Sequence, residues 1–193
     1  MNRPAIDDRI SVADYLEGEK DGEARHEYVG GHVYAMTGAS ARHGLIVNAL
    51  AFALTPAARR RQCQLFTNDM KVHVRQAGED AFYYPDLVLA CDPEDRATYH
   101  RERPCLIVEV LSEGTERIDR REKLFAYTAG LSSLREYVLV AQERPQVEVY
   151  RRHETDWAHE THTEGHIHLD CLDLDLSVES IYEDVMGQPG NSA

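Results

Sequence analysis

Two acidic residues stand in runs that otherwise read as buried strand. Cys105-Leu106-Ile107-Val108-Glu109-Val110-Leu111 carries one charge among apolar neighbours, and Tyr83-Tyr84-Pro85-Asp86-Leu87-Val88-Leu89-Ala90 repeats the pattern. An uncompensated carboxylate in such a setting is costly, so each must be protonated, paired or metal-bound. On neighbouring strands, Asp86 and Glu109 can share one hard cation. Mg²⁺ suits that arrangement, because it takes one or two carboxylates and keeps waters for a substrate phosphate. Mn²⁺ and Ca²⁺ are compatible with the same donors. A single such acid reads more simply as an arginine partner or a solvated strand end. Two together favour the metal, because misfits concentrate at functional sites.

Further along, Asp119, Lys123 and Tyr127 recur at four-residue spacing and share one helical face. Alone, the Asp-Lys pair would be an exposed contact worth a few tenths of a kcal/mol. Glu27, leading a hairpin, is a candidate further metal ligand. His43, in the first turn of a helix, is a candidate phosphate contact or acid/base, although a satisfied half-buried histidine explains it equally well. Other features take the plainer reading. Arg59, Arg60 and Arg61 end a helix, where they are solvated and complement its dipole. His159, His162, His166 and His168 lack the spacing of a transition-metal site. Tyr83 and Tyr84 read as core, not as base-stacking platforms.

The elements that must position these residues follow from periodicity and breakers. Ser11 caps a first helix, with Asp14 three residues on. Two β-rich runs flank Gly30-Gly31 and form a hairpin. Ser40 caps a helix to about Leu54, with Val47, Leu50 and Leu54 on its apolar stripe and Pro56 limiting or kinking it. One strand is expected within Cys63 to Arg75, a turn at Gly78-Glu79-Asp80, and strands over Phe82 to Ala90 and Pro104 to Leu111. Asp92 to Arg103 reads as a polar loop. Thr115 to Ala129 reads as a helix, with Thr115 as N-cap and Gly130 as the C′ residue. Strands over Glu136 to Ala141 and Val147 to Tyr150, a His-rich strand or loop, and a helix from Ser177 to Val185 complete the order. The expectation is a single α/β (α+β) domain over 1–186, with a mixed central sheet flanked by helices. Residues 187–193 read as a disordered tail.

The whole chain sets bounds. Its 193 residues can bury a core without staples. Cys63, Cys91, Cys105 and Cys171 form no Cys-x-x-Cys knuckle and read as reduced, mostly buried thiols. No apolar run approaches the ~18 residues of a membrane span, and Met1 to Arg9 lacks a signal-peptide core. A cytoplasmic protein with no membrane partner is expected. The net charge of −13 disfavours nucleic acid as a whole. It is unevenly spread, however. Residues 153–185 carry ten acids and no Lys or Arg, whereas 41–75 carry six bases and one acid.

Pro85-Asp86, Glu109-Val110-Leu111-Ser112, Thr115, Asp119, Lys123, Tyr127, Gly130 and Glu136-Tyr137 together resemble the core pattern of the Uma-type endonuclease family, within the PD-(D/E)XK nuclease superfamily. The hairpin around Glu27 and Gly31 and the helix-start His43 also match. The resemblance runs from about Ser11 to Val185. It implies a restriction-endonuclease-like fold with an added N-terminal helix and hairpin, Mg²⁺ held by Asp86 and Glu109, and hydrolysis of DNA phosphodiester bonds. Cleavage of both strands would call for a homodimer. The superfamily lysine belongs two residues after the second acid, and that position is Leu111. The resemblance makes Lys123 its migrated replacement. The alternative is a catalytically inactive relative used for binding or regulation, and a third is a module whose acidic C-terminal third docks a basic partner.

Overall fold

A computed structural model describes residues 9–112 and 114–186. The expected tail, 187–193, lies outside the described residues. Helix α1 (Val12–Gly18) begins where expected, with the Ser11 hydroxyl accepting the Asp14 N–H. Strands β1 (His26–Val29) and β2 (His32–Ala35) form the expected hairpin. Gly30 (φ 55°) and Gly31 (φ 95°) both take left-handed backbone, which a primed two-residue turn requires.

Helix α2 (Ala41–Arg60) runs past its expected end at Leu54. Pro56 sits inside it. The lost N–H would have bonded the carbonyl of Phe52, a residue 85% exposed to solvent. Beyond the proline, Ala57 and Ala58 are buried in the core, so tertiary packing carries the helix through.

Two runs expected to be single strands are each split between sheets. Residues 63–75 form β3 (Gln64–Thr67) and β4 (Lys71–Gln76), separated by Asn68 at φ 56°. Residues 82–90 form parts of β5 (Glu79–Tyr83) and β6 (Leu87–Ala90), separated at Tyr84-Pro85-Asp86. Proline has no N–H for a ladder, so the sheet breaks there. The turn before β5 lies on Ala77 and Gly78, with Glu79 and Asp80 already in the strand. The polar loop 92–103 contains one short strand, β7 (His100–Arg101).

Strand β8 (Pro104–Leu111) has the expected bounds. A π-helical turn (Ile118–Lys123) leads into helix α3 (Leu124–Gly130). Strands β9 (Glu136–Ala141), β10 (Val147–His153), β11 (Asp156–His162), β12 (His166–Leu169) and β13 (Leu174–Ser177) follow, then helix α4 (Val178–Met186).

Six strands make the central mixed sheet, in the order β11-β10-β9-β8-β6-β3, with β8 and β9 parallel. One face packs on α2 and α4 through Leu87, Leu89, Leu106, Val108 and Val110. The opposite face carries Val88, Ile107, Leu111, Tyr137 and Leu139. It meets α3 and the second sheet, β2-β1-β5-β4-β7. Glu109 alternates with Val108 and Val110 and therefore belongs to this inner face.

Gly130 is not the left-handed C′ residue expected. It is the last residue of α3, and a Cβ there would lie 2.4 Å from Val74 Cγ1 and 3.4 Å from the Arg75 carbonyl oxygen. Its role is close approach of α3 to β4.

The thiols are also paired, not free. Cys63–Cys91 and Cys105–Cys171 are disulfides. Cys63 and Cys91 flank the register pair Gln64 and Ala90, which brings them opposite each other, and Cys171 is 66 residues from Cys105 in sequence. Such pairings depend on strand register and on the chain's long return, which residue spacing does not reveal. The cysteine ground for a cytoplasmic location therefore falls away. No described helix is long and apolar enough to cross a membrane.

A candidate carboxylate and lysine site between the sheets

Asp86 lies at the break where the chain passes from β5 to β6. Leu87 pairs with Val108, so the next register position sets Asp86 opposite Glu109. Its Oδ2 accepts the Val110 N–H at 2.7 Å and lies 3.1 Å from His43 Nε2. His43 reaches it from the first turn of α2, whose start is fixed by the Ser40 hydroxyl accepting the His43 N–H. The bond to Asp86 raises the His43 pKa above its ordinary value, against the opposing effect of burial.

Glu109 is 4% exposed. Its Oε1 lies 3.1 Å from Lys123 Nζ and 3.4 Å from the Tyr127 hydroxyl. Lys123 also lies 3.0 Å from Glu27 Oε1 and 3.2 Å from Asp119 Oδ1. Asp119, Lys123 and Tyr127 thus share the face that their spacing indicated. The π-helical turn lies under this face, and such turns are frequent at functional sites. Glu27 comes from the other sheet, held by the Tyr84 N–H at 3.2 Å. A cleft of about 410 Å³ opens on the Glu27, Asp119 and Lys123 side of the cluster, lined also by Tyr34, Met36 and Tyr83.

Burial drives the Glu109 carboxyl well above its usual range, only partly opposed by Lys123, while Asp119, Asp86 and Glu27 push it further up. Burial alone would depress the Lys123 ammonium, but Glu109, Glu27 and Asp119 hold it well above its usual range. Together these directions describe a charged lysine among more carboxylates than it can neutralise. Asp119 Oδ1 is buried and has no hydrogen-bond partner among the described residues, because Lys123 lies outside the bonding direction.

All five expected site residues, Glu27, His43, Asp86, Glu109 and Lys123, are therefore brought to one region. Lys123 bonds Glu109 directly, and Asp86 faces His43 and the backbone. Three contributors were not singled out as site residues from sequence: Asp119, the Tyr127 hydroxyl and the Tyr84 N–H. The four-residue spacing marked the first two; nothing local marked the third. Before the π-helical turn the Ser112 hydroxyl accepts the Thr115 N–H, and the Thr115 hydroxyl bonds Ser112 with no backbone N–H given to it among the described residues.

The remaining motifs take their plainer readings. Arg59, Arg60 and Arg61 are exposed, with Arg61 3.2 Å from Asp173. Tyr83 and Tyr84 are buried. His159 and His168 pair with Glu148 and Asp175.

A mixed central sheet with helices on both sides is the layout of the restriction-endonuclease-like fold. The same fold is found in the crystal structure titled "a putative nuclease belonging to DUF820 from Anabaena variabilis". It superposes with a TM-score of 0.68 at 14% identity, over 90% of this chain and 98% of that one. Residues 12–179 match the Uma2 family, described as "Putative restriction endonuclease". Two uncharacterized proteins of Synechocystis sp. are each 30% identical to this chain. For slr1290 the match covers 90% of this chain and 92% of the relative, and for sll1609, 74% and 81%. The chain belongs to the Uma2 family.

Proposed function

We propose that this chain is a divalent-metal-dependent nuclease that hydrolyses DNA phosphodiester bonds at the carboxylate and lysine site. The observation carrying this reading is the carboxylate excess around buried Lys123. Glu27, Asp86, Glu109 and Asp119 face one ammonium and one imidazole, and one buried carboxylate oxygen lacks a hydrogen-bond partner. An all-oxygen donor set short of positive charge fits a hard dication. Asp86 and Glu109 would hold Mg²⁺, with Mn²⁺ as a substitute and Glu27 as a further ligand. When bound, the ion would polarise a phosphoryl oxygen and lower the pKa of an attacking water.

The chain's own groups supply the rest. Lys123 stands in for the lysine absent at Leu111 and brings a fixed positive charge to the cleft floor, where a phosphate oxygen would lie. Tyr127 and Lys123 set the orientation of Glu109. His43, whose pKa the bond to Asp86 raises, would give a proton to the leaving oxygen. Because Glu109 must ionise to ligate, metal affinity should rise with pH and binding should release a proton.

The test is cleavage of supercoiled plasmid with Mg²⁺ or Mn²⁺ by wild type, Asp86→Asn, Glu109→Gln and Lys123→Met. Activity should fall on the order of 10²-fold or more in each variant. Equal activity in all four removes the proposal. Cutting of both strands needs two sites, so a homodimer is expected, measurable by light scattering. One feature favours a second reading, a non-catalytic binding protein: Lys123 already occupies the centre of three carboxylates. That reading predicts neither heat of Mg²⁺ binding nor cleavage.

A further inference from the structure

The sheet that supplies Glu27 has a second polar cluster on its other face. Among the described residues, His73, His100 and Glu102 are the group of three whose ligand atoms all lie within 4.8 Å of one another. In register, His73 pairs with Phe82 and Phe82 with Tyr28, so these three share one face. Glu27 and Tyr83, one residue away on their strands, point to the opposite face and to Lys123. The two clusters are thus separated by the thickness of the sheet.

The geometry points to a second metal site, in which His73, His100 and Glu102 bind a transition-metal dication of the zinc class and pin β7 to β4. His73 Nδ1 lies 2.9 Å from Glu102 Oε1, and His100 Nε2 lies 3.7 Å from the same oxygen. His73 Nε2 lies 2.7 Å from Asp80 Oδ1. With the Nε2 proton given to Asp80, Nδ1 is left as the ligating nitrogen, the carboxylate-imidazole arrangement that fixes tautomer and ring orientation at metal sites. The rings are also held by packing. His73 stacks flat on buried Phe82 at 4.3 Å, and His100 meets both rings edge-on at 5.6 Å.

Two imidazoles and one carboxylate form a His₂Glu donor set, which suits zinc with one position left to water. Glu102 is exposed and leaves that position open to solvent. A plain ion pair of His73 between Asp80 and Glu102 would account for His73 but not for the placement of His100 on the same oxygen. The consequence is mechanical. The short parallel strand β7 leads directly into β8, which carries Glu109, and a metal there would fasten that lead-in to the second sheet.

The test is Co²⁺ titration of the full chain in excess Mg²⁺, followed by visible absorption, with Zn²⁺ then added. Wild type and Glu109→Gln should both show the d–d bands of nitrogen-ligated Co²⁺ and lose them to Zn²⁺, and Zn²⁺ should raise their Tm. His100→Gln and Glu102→Gln alter less buried positions. With circular dichroism like that of wild type, they should show neither the bands nor the Tm rise. Absence of Co²⁺ bands in wild type, or their retention in either of these two variants, overturns the proposal. Loss in Glu109→Gln alone would place the ion at the nuclease site and overturns it equally.

Discussion

Glu109 and Glu136 lie on the neighbouring parallel strands β8 and β9, and both are buried, at 4% and 0% exposure. Their surroundings differ in kind. Glu136 accepts the backbone N–H groups of Asp170 and Cys171, each at 3.0 Å, and faces Arg151 Nε at 3.4 Å. Backbone donors cannot leave, so Glu136 is a fastening that ties the turn after β12 to the central sheet. Among the described residues, Glu109 has no such backbone donor and is held by Lys123 and Tyr127, among three further acids. A buried carboxylate satisfied by fixed donors serves architecture, whereas one left short of charge is available to a ligand.

The largest effect should separate the two in activity. Glu109→Gln should lower cleavage on the order of 10²-fold or more, while folded Glu136→Gln keeps activity near wild type. Equal losses in a plasmid assay would break the distinction. Stability should reverse the ranking. Glu136→Ala leaves the Asp170 and Cys171 N–H groups without their acceptor, while Arg151 keeps Glu160 and Asp170, costing about 2–4 kcal/mol in urea unfolding. Glu109→Gln removes an ionisation that burial opposes, so near neutral pH it should be no less stable than wild type.

A smaller change tests how packing sets the lysine. Gly130→Ala would press its Cβ on Val74 and lift α3 from β4, at about 1–3 kcal/mol. The lift should also cost activity by shifting Lys123.

The titrations sharpen the contrast further. The Glu109 pKa is raised in the folded chain, so its contribution is present at low pH and lost as pH rises above the unfolded value. Wild-type stability should therefore decline relative to Glu109→Gln as pH increases from about 4, the unfolded glutamate range. A flat difference across that window would contradict the buried-charge account. The smallest effect is at His43. Its raised pKa lends stability below about 6.5 that is lost as pH rises through the folded value. Its NMR titration midpoint should fall in Asp86→Asn.

Much of the site was legible in local pattern. An acid interrupting Leu106 to Leu111 is conspicuous because every neighbour is apolar, and Asp119, Lys123 and Tyr127 declare a common face by spacing. Glu136 escaped that reading. It opens its strand, where an acid looks solvated, and its backbone donors come from residues more than thirty positions away. The split of 63–75 and 82–90 between two sheets was equally hidden, since an apolar run reads the same whether its strand stays in one sheet or crosses to another. Pro85 marked the place without showing the direction. The run of α2 beyond Pro56 was decided by burial of Ala57 and Ala58.

By itself, the sequence determined which residues could not rest in their own elements, Asp86 and Glu109 above all, and which side chains of one helix would act together. Composition and periodicity bear on neighbours within a few residues, and that was sufficient for both. Only the tertiary structure decided that Glu27 reaches Lys123 from a separate sheet, that His43 closes on Asp86, that the cysteines pair, and that His73 meets His100. Those contacts depend on strand register and on how two sheets stack, and both are set by long-range burial.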